Sequence, residues 1–373
     1  MTLCTPDSIS SGDQRRTSVQ ARVQWNGGGT MTVGEVLEVA RDWVATKLPE
    51  NPGVQAVYVA GSLNRLSPEQ PMPDSSDVDI HVVQDSRGSW RTDGLYRGVL
   101  LQCSVNSIDL GDAAAVLAHP YEGHPLLFGR ALADPHGVLA SMRRAARAHF
   151  AEHRWVVARC EVALRSANEW LDMLDRQQGG QLQWASALIA WAVASVAATC
   201  AVATQRDPGG RKCLVIAREV LLKVRRADLY ERLLAGFGVG RLTVERVKAM
   251  HAESLELFDR AVALHRTRVP GDDQLREYYR PYVAAGAAEI MDQGLYQEAM
   301  WRIHRTYYPA AAVLLADAAE AERGLYGEMW RSVRRDLGLD SEARIRARAS
   351  ELRVLSADVL EAVVAVAVAE DTN

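Results

Sequence analysis

The sequence predicts an α+β fold: an N-terminal domain with a mixed β-sheet and flanking helices, followed by an all-helical C-terminal domain. Three observations predict it. Two short β-branched runs, Val54 to Ala60 and Asp77 to Val83, are bounded by turn residues. A third segment, Gly98 to Ile108, alternates apolar and polar side chains as a strand with one packed face does. From about Gly137 almost to the end, apolar residues recur at helical spacing. At 373 residues the chain can bury two separate cores. The expected divisions are a disordered leader over 1–30, the sheet domain over 31–135 and the helical domain over 136–373.

The leader is rich in Ser, Thr, Gln and Gly and includes Arg15 and Arg16, with no apolar segment of signal-peptide length after them. Apolar residues from Val33 to Leu48 recur at three and four residue steps, which predicts a helix over Thr32 to Leu48, stopped by Pro49, Pro52 and Gly53. The strand Val54 to Ala60 runs straight into Gly61 and Ser62, with Leu63 to Leu66 read as one helical turn. Pro68, Pro71 and Pro73 lack amide donors, so Ser67 to Ser76 is expected to be an exposed loop. Asp77 to Val83 and Gly98 to Ile108 are the second and third strands.

Past Asp109 a helix is expected at Asp112 to Ala118, then a short apolar run at Leu126 to Phe128. Helix breaks are expected near Gly179 and Gly180, Asp207 to Gly210, Gly236 to Gly240, Pro270 and Gly271, and Pro309. Trp184 to Val202 is uncharged and approaches the length of a membrane span, but soluble-looking helices flank it, so a buried central helix is expected. The tail run Val363 to Ala369 stays open between helix end and strand. The tryptophans and tyrosines of this half are spaced as core residues, with a few available to stack on a base or acceptor.

The formal net charge of -4 and a pI near 6.2 argue against nucleic acid as the substrate and against a polybasic membrane anchor. Five scattered cysteines, Cys4, Cys103, Cys160, Cys200 and Cys213, have no zinc-site spacing and fit free thiols in a reducing cytoplasm.

Asp77 and Asp79, two apart on a strand, project their carboxylates from one face, where they repel unless a cation lies between them. Upstream, the turn at Gly61 and Ser62 offers backbone amides and a hydroxyl to an anion, and Arg65 is either a phosphate contact from the start of the helix or an exposed arginine. His81 shares the aspartates' parity and is read as an ordinary hydrogen-bonding residue. Gln205, Arg206, Arg211 and Lys212 cluster around Pro208, either as a solvated loop or as a cationic element closing over phosphates.

Gly61-Ser62, a linker, and Ser76-Asp77-Val78-Asp79-Ile80 together resemble the glycine-serine and aspartate-x-aspartate motifs of the DNA polymerase β-type nucleotidyltransferase superfamily. With a helical C-terminal half, the chain looks like the small-molecule branch that includes the aminoglycoside adenylyltransferases. The motif match covers about Val54 to Asn106.

The resemblance implies that Gly61 and Ser62 hold the triphosphate of ATP or another nucleoside triphosphate and that Asp77 and Asp79 bind Mg2+; Arg65 and Lys212 are the expected cationic contacts to that triphosphate, on their charge and position alone. It also implies a third acid on the next strand, where this sequence has Gln102, a side chain that cannot accept a proton. Either an acid comes from elsewhere, with Asp93, Asp109 and Glu122 the nearest, or the substrate supplies its own base, or transfer has been lost and binding kept. The expected function is transfer of a nucleoside monophosphate, AMP from ATP, to a hydroxyl of a small polar molecule with release of pyrophosphate. Asp77, Asp79 and Gln102 form the expected catalytic set. The alternative is a nucleotide-binding, catalytically degenerate protein with a regulatory or interaction role. A membrane partner is not expected, and the oligomeric state is left open.

Overall fold

Helix α1 (Val33–Lys47) opens on a capping box. The Thr32 hydroxyl accepts from the Glu35 amide at 3.3 Å, and the Glu35 carboxylate accepts from the Thr32 amide at 2.7 Å. The computed structural model describes residues 31–47, 53–84, 90–106, 108–176, 182–208 and 210–371. The leader over 1–30 and the break at Gly179 and Gly180 lie outside those residues.

The fold is α+β, with one mixed five-stranded sheet. Strands β1 (Val54–Val59), β2 (Val78–Gln84), β3 (Trp90–Tyr96), β4 (Val99–Asn106) and β5 (Arg130–Ala133) lie in the order β3-β4-β2-β1-β5. Among the described residues only β2 and β4 pair in parallel. Two of these strands exceed the sequence expectation. The edge strand β3 folds back into β4 through Arg97 and Gly98, whose φ angles of 48° and 80° give the two-residue turn that follows strand twist. The four-residue β5 closes the other edge against β1.

Side-chain alternation assigns the two faces. Val78, Ile80 and Val82 of β2 pack with Val36, Leu37 and Val44 of α1 in one core. Asp77, Asp79 and His81 therefore face the opposite way, toward the rest of the chain. There α2 (Ala113–Ala118), α3 (Gly123–Phe128) and α4 (Val138–Ala146) cover Ala56, Tyr58 and Val83. Asp112 caps α2 by accepting from the Ala115 amide at 3.0 Å.

The helical half consists of α5 (His153–Arg176), α6 (Leu182–Ala203), α7 (Cys213–Lys223), α8 (Ala227–Phe237), α9 (Val244–Leu264), α10 (Arg280–Met291), α11 (Tyr296–Asp317), α12 (Glu320–Asp336) and α13 (Glu342–Asp371). The segment Trp184–Ala203 is, among the described residues, the one helical stretch long and apolar enough to cross a membrane, and 89% of that window is buried inside the protein. Its alanines let α5, α7, α11 and α13 approach closely. Residues from Met31 onward form one compact unit. Leu100 of β4 belongs to the helical core, so the sheet and the helices share packing. Buried Arg159 of α5 fastens the junction: it donates to the carbonyls of Leu117 and Phe150 at 2.8 Å each, and its guanidinium lies 3.8 Å from the Phe150 ring centre.

Pro309 does not end a helix, because α11 runs through it to Asp317. The missing amide removes one intrahelical bond, a cost of about 3 kcal/mol. Burial of Tyr307, Tyr308, Ala310, Ala311 and Val313 around it offsets that cost. The tail run that had been open between helix and strand is helical, within α13.

His304, buried in α11 among Phe237, Tyr308 and Trp330, predicts an acid sensitivity. Burial holds its imidazole neutral, pushing the pKa down to about 3, and Arg305 adds to the effect. Below pH 6.5 the unfolded chain takes up a proton that the folded one refuses, so stability falls as pH falls. The loss from this residue is about 2 kcal/mol at pH 5. Thermal midpoints at pH 7 and pH 5 should differ by less in His304→Leu than in the wild type. An equal drop in both would remove this assignment.

Candidate functional site

The turn after β1 is held in place from β5. The Asn64 side chain donates to the Val59 carbonyl at 2.9 Å and accepts from the Arg130 amide at 3.2 Å, while Arg130 donates to the Leu66 carbonyl at 3.1 Å. Leu63 is fully buried beneath it. Gly61 sits at φ 72° and ψ −156°, a conformation essentially confined to glycine. A Cβ at this position would fall 2.5 Å from the Asp79 Oδ2. Asp79 can thus come up against the turn only because residue 61 has no side chain. Ser62 opens the following 3-10 turn, Ser62–Arg65, and its hydroxyl lies 3.3 Å from that of Ser76.

Asp77 lies one residue ahead of β2, not within it as the sequence reading placed it. It remains next to Gln102: the register pairs Asp79 with Gln102, and the Gln102 amide donates to the Asp77 carboxylate. Both side chains are buried. Burial pushes the Asp77 carboxyl above its ordinary value, and Arg211, the Tyr282 hydroxyl and Arg302 offset this only in part. A buried acid with a raised pKa is suited to a site that receives positive charge.

These residues line a cleft of about 400 Å³ between the sheet and the helices. Gly61, Ser62, Arg65, Asp77, Asp79 and Gln102 form one wall, and Arg206, Arg211 and Lys212 belong to the other. Gly61, Ser62, Arg65, Asp77, Asp79, Gln102 and Lys212 therefore meet in one place, whereas Gln205 of the expected cationic cluster does not line the cleft. Arg211 and Lys212 form part of a short 3-10 turn before α7 and are held by Glu289 of α10, which accepts from Lys212 at 2.5 Å, Arg211 at 3.1 Å and the Ser75 hydroxyl at 2.6 Å. Burial raises the Glu289 pKa, but the bonds from Lys212 and Ser75 outweigh it and hold the carboxyl below its usual range.

The three replacement acids do not line the cleft. Asp93 pairs with Gln102 across β3 and β4, yet its carboxylate accepts from the Tyr279 hydroxyl at 2.7 Å and its carbonyl from Tyr278 at 3.0 Å. It ties the sheet edge to the segment before α10. Asp109 accepts from the Gly111 amide at 2.7 Å in a turn beyond β4. Glu122 binds His81 at 3.1 Å and accepts from Tyr58 at 3.3 Å. The two rings stack at 5.2 Å, so His81 has the hydrogen-bonding part expected of it.

The sequence reading missed Gln274, Arg302 and Arg305, and it took Tyr282 and Trp301 for core residues although both line the cleft. Their helical spacing is that of packed positions, and only the path of α10 and α11 past the sheet shows the second role.

Mg2+ usually takes one or two carboxylates and completes its shell with water and substrate phosphate. Asp77 and Asp79, with the Gly61 approach kept clear, fit that donor set. Among the described residues no three His, Cys, Asp or Glu side chains cluster as a metal group. Gln102→Glu should place a third carboxylate against Asp77, removing a donated bond and adding repulsion. We expect it to cost about 1–3 kcal/mol in the absence of Mg2+ and to recover when the ion is added. Thermal melts with and without Mg2+ check this, and an unchanged melt in chelator would contradict it.

A comparison with protein-family models found no match, and a search of curated proteins found none either, so a functional reading of this chain rests on its own residues and their geometry.

Proposed function

We propose that this protein transfers a nucleoside monophosphate, AMP from ATP, to a hydroxyl of a small polar molecule and releases pyrophosphate. The observation that carries the reading is the approach of Asp79 to a glycine-only turn, with Asp77 and cationic side chains in the same cleft.

In this reading Gly61 and Ser62 seat the phosphates, with Arg65, Arg211 and Lys212 neutralising their charge. Asp77 and Asp79 would hold Mg2+, which when bound withdraws charge from the phosphoryl oxygens. The acceptor oxygen attacks the α-phosphorus, the bond to the pyrophosphate oxygen breaks, and the hydroxyl proton goes to water or to the departing pyrophosphate. Gln102 takes no proton. Its amide fixes the Asp77 carboxylate instead. We place the reaction in the cytoplasm, consistent with buried free thiols at Cys103, Cys160, Cys200 and Cys213.

A second reading, nucleotide binding without transfer, is favoured by one feature: the place of the third acid is held by an amide already engaged with Asp77. Incubation with α-labelled ATP, Mg2+ and a panel of hydroxyl compounds separates the two. Labelled adduct and pyrophosphate together support transfer. ATP binding with no adduct supports the second reading, and the absence of ATP binding removes both.

A further inference from the structure

We infer that the acceptor carries an anionic group, a phosphate or a carboxylate, and that Arg302 on the helical wall holds it. This rests on the nucleotidyl-transfer reading and names the substrate class of the same cleft.

Six cationic side chains line the cleft, Arg65, Arg206, Arg211, Lys212, Arg302 and Arg305, against four carboxylates. Two of the four, Asp77 and Asp79, are the proposed metal ligands. A third, Glu219, is paired with Arg206 at 2.7 Å, and Glu289, outside the lining, is paired with Arg211 and Lys212. A polycation such as an aminoglycoside needs a wall of available carboxylates, and this wall has the opposite sign.

Arg302 is the most demanding of the six. It is 5% exposed, its Nη1 donates to the Gln274 Oε1 at 2.9 Å, and its plane lies over Tyr282 at 4.7 Å from the ring centre. Its Nε and Nη2 have no hydrogen-bond partner, and among the described residues it makes no salt bridge. A buried guanidinium with two idle donors is costly, and because both atoms are closed off from solvent, a ligand oxygen reaches them when the side chain turns toward the cleft it lines. Burial accordingly pushes its pKa down. Arg305, three residues further along α11, lines the same wall.

The triphosphate has other partners in the turn at Gly61 and in Arg211 and Lys212, on different elements from Arg302. Beside Arg302 stand Gln274, Tyr282 and Trp301, neutral groups able to bond hydroxyls or pack on a sugar ring. An oxyanion next to a hydroxylated body matches that set.

The test is calorimetry on the full chain saturated with Mg2+ and α,β-methylene-ATP, titrated separately with inorganic phosphate, acetate and kanamycin. Phosphate or acetate should bind the loaded protein, and whichever binds more tightly identifies the group. Arg302→Gln should weaken that binding about tenfold or more and Arg302→Lys less. Arg302→Lys should keep the analogue affinity within about twofold, because it retains the positive charge that acts on Asp77 while losing the guanidinium donors. Circular dichroism establishes that each variant folds, and the lysine variant carries the test if the glutamine variant does not. Phosphate that binds only without the analogue and competes with it would make Arg302 a triphosphate ligand and overturn the inference. So would kanamycin binding, or no anion binding to the loaded protein. Failure of the analogue itself to bind would instead remove the nucleotidyl reading on which the inference rests.

Discussion

Asp77→Asn is expected to lower kcat/KM for nucleotidyl transfer by more than about 100-fold, since loss of even an outer partner of a metal ligand costs 10–100-fold in affinity or activity. The same substitution should raise the thermal midpoint of the protein without Mg2+. Burial is the largest influence on Asp77 and leaves its folded pKa above the ordinary value. The charged form is therefore disfavoured by folding at neutral pH, and a neutral isostere relieves that cost. Arg211 and Arg302 lose a counter-charge in the exchange, but their attraction is already the lesser influence on the wild-type carboxylate. A ligand present at about 100 times its Kd stabilises the folded state by about 2.7 kcal/mol. Saturating MgATP should thus raise the wild-type midpoint by several degrees and the variant's hardly at all. A variant that melts lower than wild type without metal, or that keeps the MgATP shift, would show that Asp77 serves the fold and not the site.

The sheet wall of the cleft is legible in the sequence because its residues are close together and their chemistry is local. A glycine and a serine after a strand, and two acids at a spacing of two, announce themselves by alternation and turn chemistry. The helical wall is not, because Tyr282, Arg302 and Arg305 come from distant helices whose spacing also fits packed positions, and Gln274 ends a three-residue 3-10 turn with no signal of its own. Arg211 and Lys212 lie between these cases. Their charge is visible, but what separates a solvated loop from a turn that lines the cleft is the grip of Glu289, far along the chain.

Elements were missed for equally physical reasons. The hairpin into β4 turns on Arg97 and Gly98, and only the second of these carries the usual turn signal; an arginine at φ 48° has no such mark. β5 is four residues long, at the lower limit of the length over which alternation can be read. Pro309 looks like a helix end, yet its surroundings supply enough packing to carry the helix through. The third acid that the resemblance implies is the reverse case, since Gln102 at its expected place is plain in the sequence. What the structure adds is that Asp93, Asp109 and Glu122 are each committed elsewhere, so none of them takes its place in the cleft.

Gly61→Ala should have the second largest effect, and through geometry alone. The residue adopts φ 72° and ψ −156°, where a side-chain-bearing residue costs about 1–3 kcal/mol. The added methyl would also meet the Asp79 Oδ2 at 2.5 Å, well inside contact distance. The turn cannot yield easily, because Asn64 and Arg130 pin it from below and Leu63 is buried under it. The carboxylate must therefore move, and Asp79 leaves the place where a cation would join it to the phosphates. We expect a lower thermal midpoint together with loss of the MgATP-induced shift. Gly324→Ala separates this from a general intolerance of alanine. Gly324 lies within α12, and a Cβ there would meet nothing within 4 Å. That change should stabilise the protein by about 0.5–1 kcal/mol. If Gly61→Ala melts like wild type and still binds MgATP, Asp79 does not depend on the bare turn, and the cleft cannot work as described.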